Sequence, residues 1–281
     1  MLSREALAQA VARLQNEGVE SPRFDAELLL AHVLDVNRAA VLAHPDRRLT
    51  PKQLTRFREI VARRANREPL AYILGHREFY GLDFLVDARV LIPRPETELL
   101  VEHALRLAQK LPASPRIADV GAGSGAIAVT LAVHLPEATI YALDDSAGAL
   151  AVVAANARRH GVGDRVRCLQ GNLLAPLAEP VDLVTANLPY VATGEWEQLP
   201  PEIRDHEPRA ALDGGANGLN LIRRLLETAS AHLRPGGAIL LEIGADQGAA
   251  VINLARKNFP QASVRLQQDY AGLDRLVIAE T

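Results

Sequence analysis

Asn187-Leu188-Pro189-Tyr190 carries a dense set of groups for handling a small planar substituent. The run before it, Val181 to Ala186, is mostly apolar and predicts a buried strand, which puts Asn187 at a strand's carboxyl tip. An asparagine side chain offers one acceptor and two donors. Pro189 fixes the turn and keeps Leu188 extended, so the Leu188 carbonyl points outward as a second acceptor. Two neighbouring acceptors hold an NH2 group by both of its hydrogens. Tyr190 adds a ring against which a planar group can lie. Together these residues describe a clamp for a planar NH2 group. Strand-end turns also use Asn and Pro for purely conformational reasons, so the reading depends on what stands beside the clamp.

What stands beside it is a glycine loop. Arg116 to Val120 predicts a short apolar strand, and it runs into Gly121-Ala122-Gly123-Ser124-Gly125. Glycines let the backbone turn sharply and approach a ligand closely. A helix beginning near Gly125 points free N–H groups and its positive end at that ligand. A second strand, Thr139 to Asp144, ends in a carboxylate placed to accept both hydroxyls of a ribose. The loop alone does not name the ligand, because Gly121-x-Gly123-x-x-Ala126 also satisfies a loose dinucleotide fingerprint. Two features lean away from NAD. The glycines also read G-x-G-x-G, and Asp119 sits two residues before the first of them. An acid at that point holds an ammonium group, directly or through water, whereas a pyrophosphate gains nothing from it.

The elements that must position these groups alternate. Strands are expected at 116–121, 139–144, 165–169, 181–186, 238–243, 263–268 and 274–279, with helices at 125–134, 146–160, 217–233 and 246–258. Such alternation predicts a mostly parallel sheet with ligands beyond the carboxyl ends of its strands. Residues 1–67 instead predict a small helical domain, separate from the cofactor fold and expected to recognise the protein substrate. Ser3 and Ser21-Pro22 supply helix starts, and Thr50-Pro51-Lys52-Gln53 reads as a capping box. The helix after it sets Leu54, Phe57, Ile60 and Val61 opposite Arg56, Arg58, Arg63 and Arg64, a face expected to be solvated. Residues 68–95 predict a hairpin-like linker broken by Gly75 and Gly81, and 96–281 the α/β domain.

Composition narrows the classes. Hydrophobic residues make up 48% of the 281, charged residues 23%, and the net charge is −3, so no basic face for nucleic acid is expected. Cys168 is the only cysteine, which excludes a disulfide within the chain and a cysteine zinc site, and no metal is expected. The start, MLSREALAQA, has no signal-peptide core, and no run of about 18 apolar residues spans a membrane. The expected compartment is the cytoplasm.

On these residues the chain resembles the PrmC/HemK protein methyltransferases, and the resemblance runs through nearly its whole length. The specific stretches are Leu91-Ile-Pro-Arg-Pro-Glu-Thr-Glu98, Asp119 to Ile127, the Asn187–Tyr190 element, Glu207-Pro-Arg-Ala-Ala-Leu-Asp-Gly-Gly215 with Gly218-Leu219, Gly236-Gly237 through Gly244, and Asp269 to Gly272. The resemblance implies a class I S-adenosylmethionine-dependent methyltransferase, a Rossmann-like seven-stranded sheet with a small N-terminal helical domain. The implied substrate is the glutamine of the Gly-Gly-Gln loop in peptide chain release factors, methylated on its side-chain amide. Gly121 to Gly125 and Asp144 would then hold the methionine part and the ribose of the cofactor, and Asn172-Leu173 would border its adenine. Asn187, Leu188, Pro189 and Tyr190 would bind the glutamine amide, with Glu207 near them. Asn187-Leu188-Pro189-Tyr190 departs from the family's usual Asn-Pro-Pro-Tyr, Asn172 stands where aspartate is frequent, and Leu173 stands where some members have an aromatic residue.

An amide nitrogen is a poor nucleophile, and the expected enzyme works mostly by positioning. His76, His103 and His206 are the histidines that a general base would call on, and each is expected to be a surface or linker residue instead. An N6-adenine nucleic-acid methyltransferase would use the same clamp but calls for a basic face or a target-reading domain. An NAD-dependent oxidoreductase would need a catalytic acid or base after the fourth strand. A non-catalytic protein of methyltransferase fold is the remaining alternative.

Overall fold

The computed structural model describes residues 1–281. The chain forms two compact units, one of Met1–His76 with Pro200–His206 and one of Arg77–Leu199 with Glu207–Thr281. No helix is long and apolar enough to cross a membrane.

The first unit is helical: α1 (Ser3–Asn16), α2 (Pro22–Leu34), α3 (Arg38–Ala43), α4 (Pro51–Ala65) and α5 (Leu70–Leu74). Leu14, Leu29, Leu30, Phe57 and Ile60 fill its core. The capping box at Thr50 forms as its sequence predicts. Thr50 Oγ1 accepts from the Gln53 amide at 3.3 Å, and Gln53 Oε1 accepts from the Thr50 amide at 3.0 Å. Ser3 does not cap α1. The cap position falls on Leu2, and the buried Ser3 hydroxyl donates to the Arg47 carbonyl at 3.1 Å. Ser21 precedes α2 but makes no side-chain cap bond. The arginine face of α4 also differs from expectation, because Arg64 is buried. It donates to Asp25 Oδ2 at 2.7 Å and to Glu202 Oε1 at 3.0 Å. Glu202 lies on the short helix α9 (Pro201–Arg204), which falls later in the chain, and Arg67 also donates to it, at 2.7 Å.

The second unit, from Arg77, opens within the hairpin β1 (His76–Phe79) and β2 (Leu82–Leu85). Phe79 and Phe84 meet edge to face in its core, 6.1 Å apart. Helix α6 (Glu98–Ala108) follows and buries Leu100, Val101, Ala104 and Leu107. Then come β3 (Arg116–Val120), α7 (Ala126–His134), β4 (Thr139–Asp144), α8 (Ala147–Arg159), β5 (Val166–Gln170) and β6 (Val181–Ala186). The chain closes with α10 (Asn220–Ala229), β7 (Leu233–Glu242), α11 (Gly248–Asn258), β8 (Ser263–Gln268) and β9 (Asp274–Glu280).

Seven strands form one sheet in the order β5-β4-β3-β6-β7-β9-β8. The first five run parallel, and β9 is antiparallel to both β7 and β8. Helices cover both faces, so the inner strands are apolar on both sides. Ile117, Leu183 and Leu240 belong to the core on one face, and Val120, Val184 and Leu241 to the core on the other. The helix expected over 217–233 is shorter, because the chain at Gly214–Gly218 is a loop and β7 already begins at Leu233.

Candidate active site

The strand order reverses between β3 and β6, which lie side by side while the chain departs in opposite directions. Ligands in such sheets bind beyond the strand ends at this point. A cavity opens there, lined by Gly121, Gly123, Asp144, Asn172, Leu173 and the Asn187–Pro189 turn. The structure thus brings together residues up to 68 positions apart in the sequence. Arg89, Val90, Leu91, Ser146 and Leu221 also line it, and sequence reasoning gave them no site role.

The glycine loop is shaped by its neighbours. Gly121 has φ +75° and donates its amide to the Leu143 carbonyl at 2.8 Å. Asp144 holds the loop from the next strand: its Oδ2 accepts from the Gly123 amide at 2.9 Å, and its Oδ1 from the Ser146 amide at 2.9 Å. Burial pushes the Asp144 carboxyl up, and these two amides oppose the shift. The carboxylate keeps further lone pairs toward the cavity. Ala122, Ser124 and Gly125 stand behind the lining. The Ser124 carbonyl accepts from Asn156 Nδ2 at 2.8 Å, and the same side chain bonds the Leu85 amide and carbonyl. One buried asparagine therefore ties the hairpin to the loop.

Asp119 also stands behind the lining. It is 1% exposed and does not line the cavity. Its Oδ2 accepts from the Ala128 amide at 3.1 Å and its Oδ1 from the Thr185 hydroxyl at 3.0 Å. Burial pushes it up to about 7. The carboxyl fastens the start of α7 to β6.

Asn187 stands at the cavity edge. Its Nδ2 donates to Thr97 Oγ1 at 3.1 Å, which turns Oδ1 away from Thr97. Leu188 is buried, and Tyr190 lines a smaller adjoining recess together with Leu91, Arg94 and Asn187. The Tyr190 hydroxyl reaches Glu242 Oε1 at 3.5 Å, and burial pushes it up to about 12. The turn is gripped from the other side by the 212–218 stretch. Val191 donates to the Leu212 carbonyl at 3.0 Å, Gly214 to the Val191 carbonyl at 2.8 Å, and Gln247 Nε2 to the Tyr190 carbonyl at 2.9 Å. Gly218 is required here, because a Cβ on it would stand 2.1 Å from the Tyr190 carbonyl oxygen.

Glu207 is buried and its carboxylate is taken by the protein. Oε2 accepts from the Ile92 amide at 3.1 Å, and Oε1 receives Arg94. It positions the Leu91–Arg94 wall and does not offer a free carboxylate to a substrate. Glu98 has a parallel task, accepting from the Tyr80 amide at 2.9 Å. Of the histidines, His103 is buried on α6 and its pKa is lowered by burial. His206 lies in the helical unit, 3.1 Å from the Asn66 carbonyl. Neither these nor His76 lines the cavity.

Comparison with known proteins bears on this geometry. Residues 5–75 match the PrmC N-terminal domain, and residues 95–199 match the methyltransferase small domain. A release factor glutamine methyltransferase of Moorella thermoacetica is 47% identical over 280 residues, covering 99% of this chain and 98% of the relative. One of Geobacter sulfurreducens is 43% identical over 276 residues, covering 98% and 95%. Among solved structures, a methyltransferase from Pyrococcus furiosus superposes with TM-score 0.53 at 18% identity, over 72% of this chain and 90% of that one. The T. thermophilus 16S rRNA N2 G1207 methyltransferase, in complex with AdoMet and guanosine, gives 0.51 at 16% identity, over 73% and 49%. These likenesses show the class I methyltransferase fold with its mixed seven-stranded sheet. The full-length relatives show more: this chain belongs to the release factor glutamine methyltransferase family.

Proposed function

We propose that the chain transfers the methyl group of S-adenosylmethionine to the side-chain amide nitrogen, N5, of the glutamine in the Gly-Gly-Gln loop of peptide chain release factors. Family membership supports the substrate class. The observation that carries the reading is the Asn187 side chain, held through its NH2 by Thr97 at the edge of the cavity that the glycine loop lines.

The cavity fits the cofactor's parts. Gly121 and Gly123 bring bare backbone to one wall, Asp144 presents a carboxylate to a ribose, and Leu143, Leu173 and Leu221 give apolar surface for a base. Bound there, S-adenosylmethionine supplies an electrophilic methyl group on a sulfonium. The protein's own work is then to hold the amide. Asn187 Oδ1 and the Leu188 carbonyl each accept one N–H, so the nitrogen is aimed along a fixed line. The Tyr190 ring backs the carboxamide plane. Alignment of this kind is worth on the order of 7–11 kcal/mol. The same two acceptors stabilise positive charge that develops on nitrogen during transfer. Asn172 and Leu173 also line the cavity. The partner is a protein, and the working compartment is the cytoplasm.

The test is to incubate the protein with methyl-labelled S-adenosylmethionine and a purified release factor, then map the label by mass spectrometry. The expected product carries one methyl group on the glutamine of the Gly-Gly-Gln loop. A release factor with that glutamine replaced by alanine should take no label. Label on another residue, or on nucleic acid in place of the release factor, would overturn the proposal.

A further inference from the structure

An asparagine clamp works only if the amide faces the right way. Oδ1 must point at the substrate N–H, because a flipped side chain would present NH2 to NH2. A hydroxyl such as that of Thr97 cannot by itself choose between the two, since it can accept from Nδ2 or donate to Oδ1. Another acceptor must engage the Thr97 O–H.

Glu242 is placed to do so. Ala186 of β6 pairs with Leu241 of β7, so Asn187 and Glu242 leave adjacent strands at the same level. Glu242 is 1% exposed, and its Oε2 is buried with no hydrogen-bond partner. A buried carboxylate oxygen without a donor is costly; the Tyr190 hydroxyl reaches Oε1 at 3.5 Å, and the Thr97 hydroxyl is a second group that opposes the rise burial gives this carboxyl. Thr97 is itself 4% exposed, so water does not compete for it. It ends the short 3-10 turn Pro95–Thr97 that opens α6, with its amide bonded to the Arg94 carbonyl at 3.1 Å.

We propose that Glu242 and Thr97 are positioning residues for Asn187: the Thr97 hydroxyl donates its hydrogen bond to Glu242, can then only accept from Asn187 Nδ2, and so locks Asn187 Oδ1 toward the substrate amide. The inference rests on the role assigned to Asn187 above. It also accounts for Thr97 within the Leu91–Glu98 stretch, in which Arg94 bonds Glu207 and Glu98 accepts from the Tyr80 amide.

The experiment compares Thr97→Val, Thr97→Ser, Glu242→Gln and Asn187→Ala in the full-length protein, alone and with Thr97→Val combined with Asn187→Ala. Steady-state and single-turnover kinetics on an intact release factor are read beside calorimetric affinity for S-adenosylhomocysteine. Thr97→Val and Glu242→Gln should each lower kcat about tenfold or more, as loss of one oriented hydrogen bond predicts. KM for the release factor and nucleoside affinity should stay within about twofold. Thr97→Ser should restore the rate, because it returns the hydroxyl with less volume. In the Asn187→Ala background Thr97→Val should cost nothing further, since there is no amide left to orient. Thr97→Val at the wild-type rate beside a crippled Asn187→Ala would overturn the inference and leave the clamp standing. So would a full additive loss in the double variant, or a matching loss of nucleoside affinity. Asn187→Ala at the wild-type rate would instead overturn the clamp itself.

Discussion

Leu188 packs its side chain against the glycine loop at Gly121: a Cβ on Gly121 would stand 3.0 Å from Leu188 Cδ2 and 3.6 Å from the Asn187 carbonyl oxygen. Clamp and loop are therefore in direct contact, and the tightest approach falls at a residue with φ +75°. Gly121→Ala should strain the loop by about 1–3 kcal/mol through its backbone alone, with the Leu188 contact added. The expected result is a lower Tm and weaker binding of S-adenosylhomocysteine by calorimetry. Wild-type values for both would show that the loop can relax without loss.

Arg64 gives a second expectation, within the helical unit. Its guanidinium bonds Asp25 at 2.7 Å and Glu202 at 3.0 Å, and its side chain and that of Asp25 are both nearly buried. Arg64→Met keeps much of the stem's volume but leaves Asp25 without its cation. Removing one partner of a buried pair costs about 3–5 kcal/mol. Chemical denaturation should show a loss of that order. Arg58→Met, on an exposed side chain of the same helix, should change little. Equal effects of the two would mean that the buried pair contributes no more than a solvated charge.

The sequence made the glycine loop, the strand-end clamp and the α/β order legible because each is written locally. Glycines at fixed spacing, a proline after an extended residue and apolar runs of strand length all act through their own backbone. The supports of the site are written elsewhere. Thr97 meets Asn187 across 90 positions, and Asn156 meets Leu85 across 71. Carboxylates misled for the same reason. Asp119 and Glu207 read as ligand groups by position, yet Ala128, Thr185, Ile92 and Arg94 fold around them and use their oxygens. Only the tertiary structure says which donors reach a carboxylate first. Arg64 looked solvated on the wheel of α4 because the segment that buries it, around Glu202, lies 138 positions away.

Asp119 should leave a mark on the pH dependence of stability. Burial raises its pKa from 3.8 to about 7 in the folded protein. As pH rises from about 4 toward 7, the unfolded chain gives up this proton while the folded protein keeps it. The folded state then binds more protons, so this group's contribution to stability is full at low pH and is lost as pH climbs through the folded value. Asp119→Asn removes the titration and still presents an oxygen to the Ala128 amide. The difference in Tm, variant minus wild type, should rise between about pH 4 and 7 and level off above. A difference that is flat over this window would show that Asp119 ionises in the folded protein as it does in the unfolded chain.

Asn187 and Leu188 separate side chain from backbone in the clamp. Asn187→Ala removes one acceptor and leaves a substrate N–H unpaired in a closed site, which costs about 1–3 kcal/mol. The amide also loses its alignment, and that loss falls on the transition state. A large drop in kcat with little change in nucleoside affinity is expected. Leu188→Pro keeps the carbonyl that the clamp uses and stiffens the turn before Pro189. It also withdraws Cδ2 from Gly121, where the contact is tight. This variant should keep its activity on an intact release factor, measured by transfer of labelled methyl. Loss of activity in a folded Leu188→Pro protein would mean that the leucine side chain itself shapes the site, through its packing on the glycine loop.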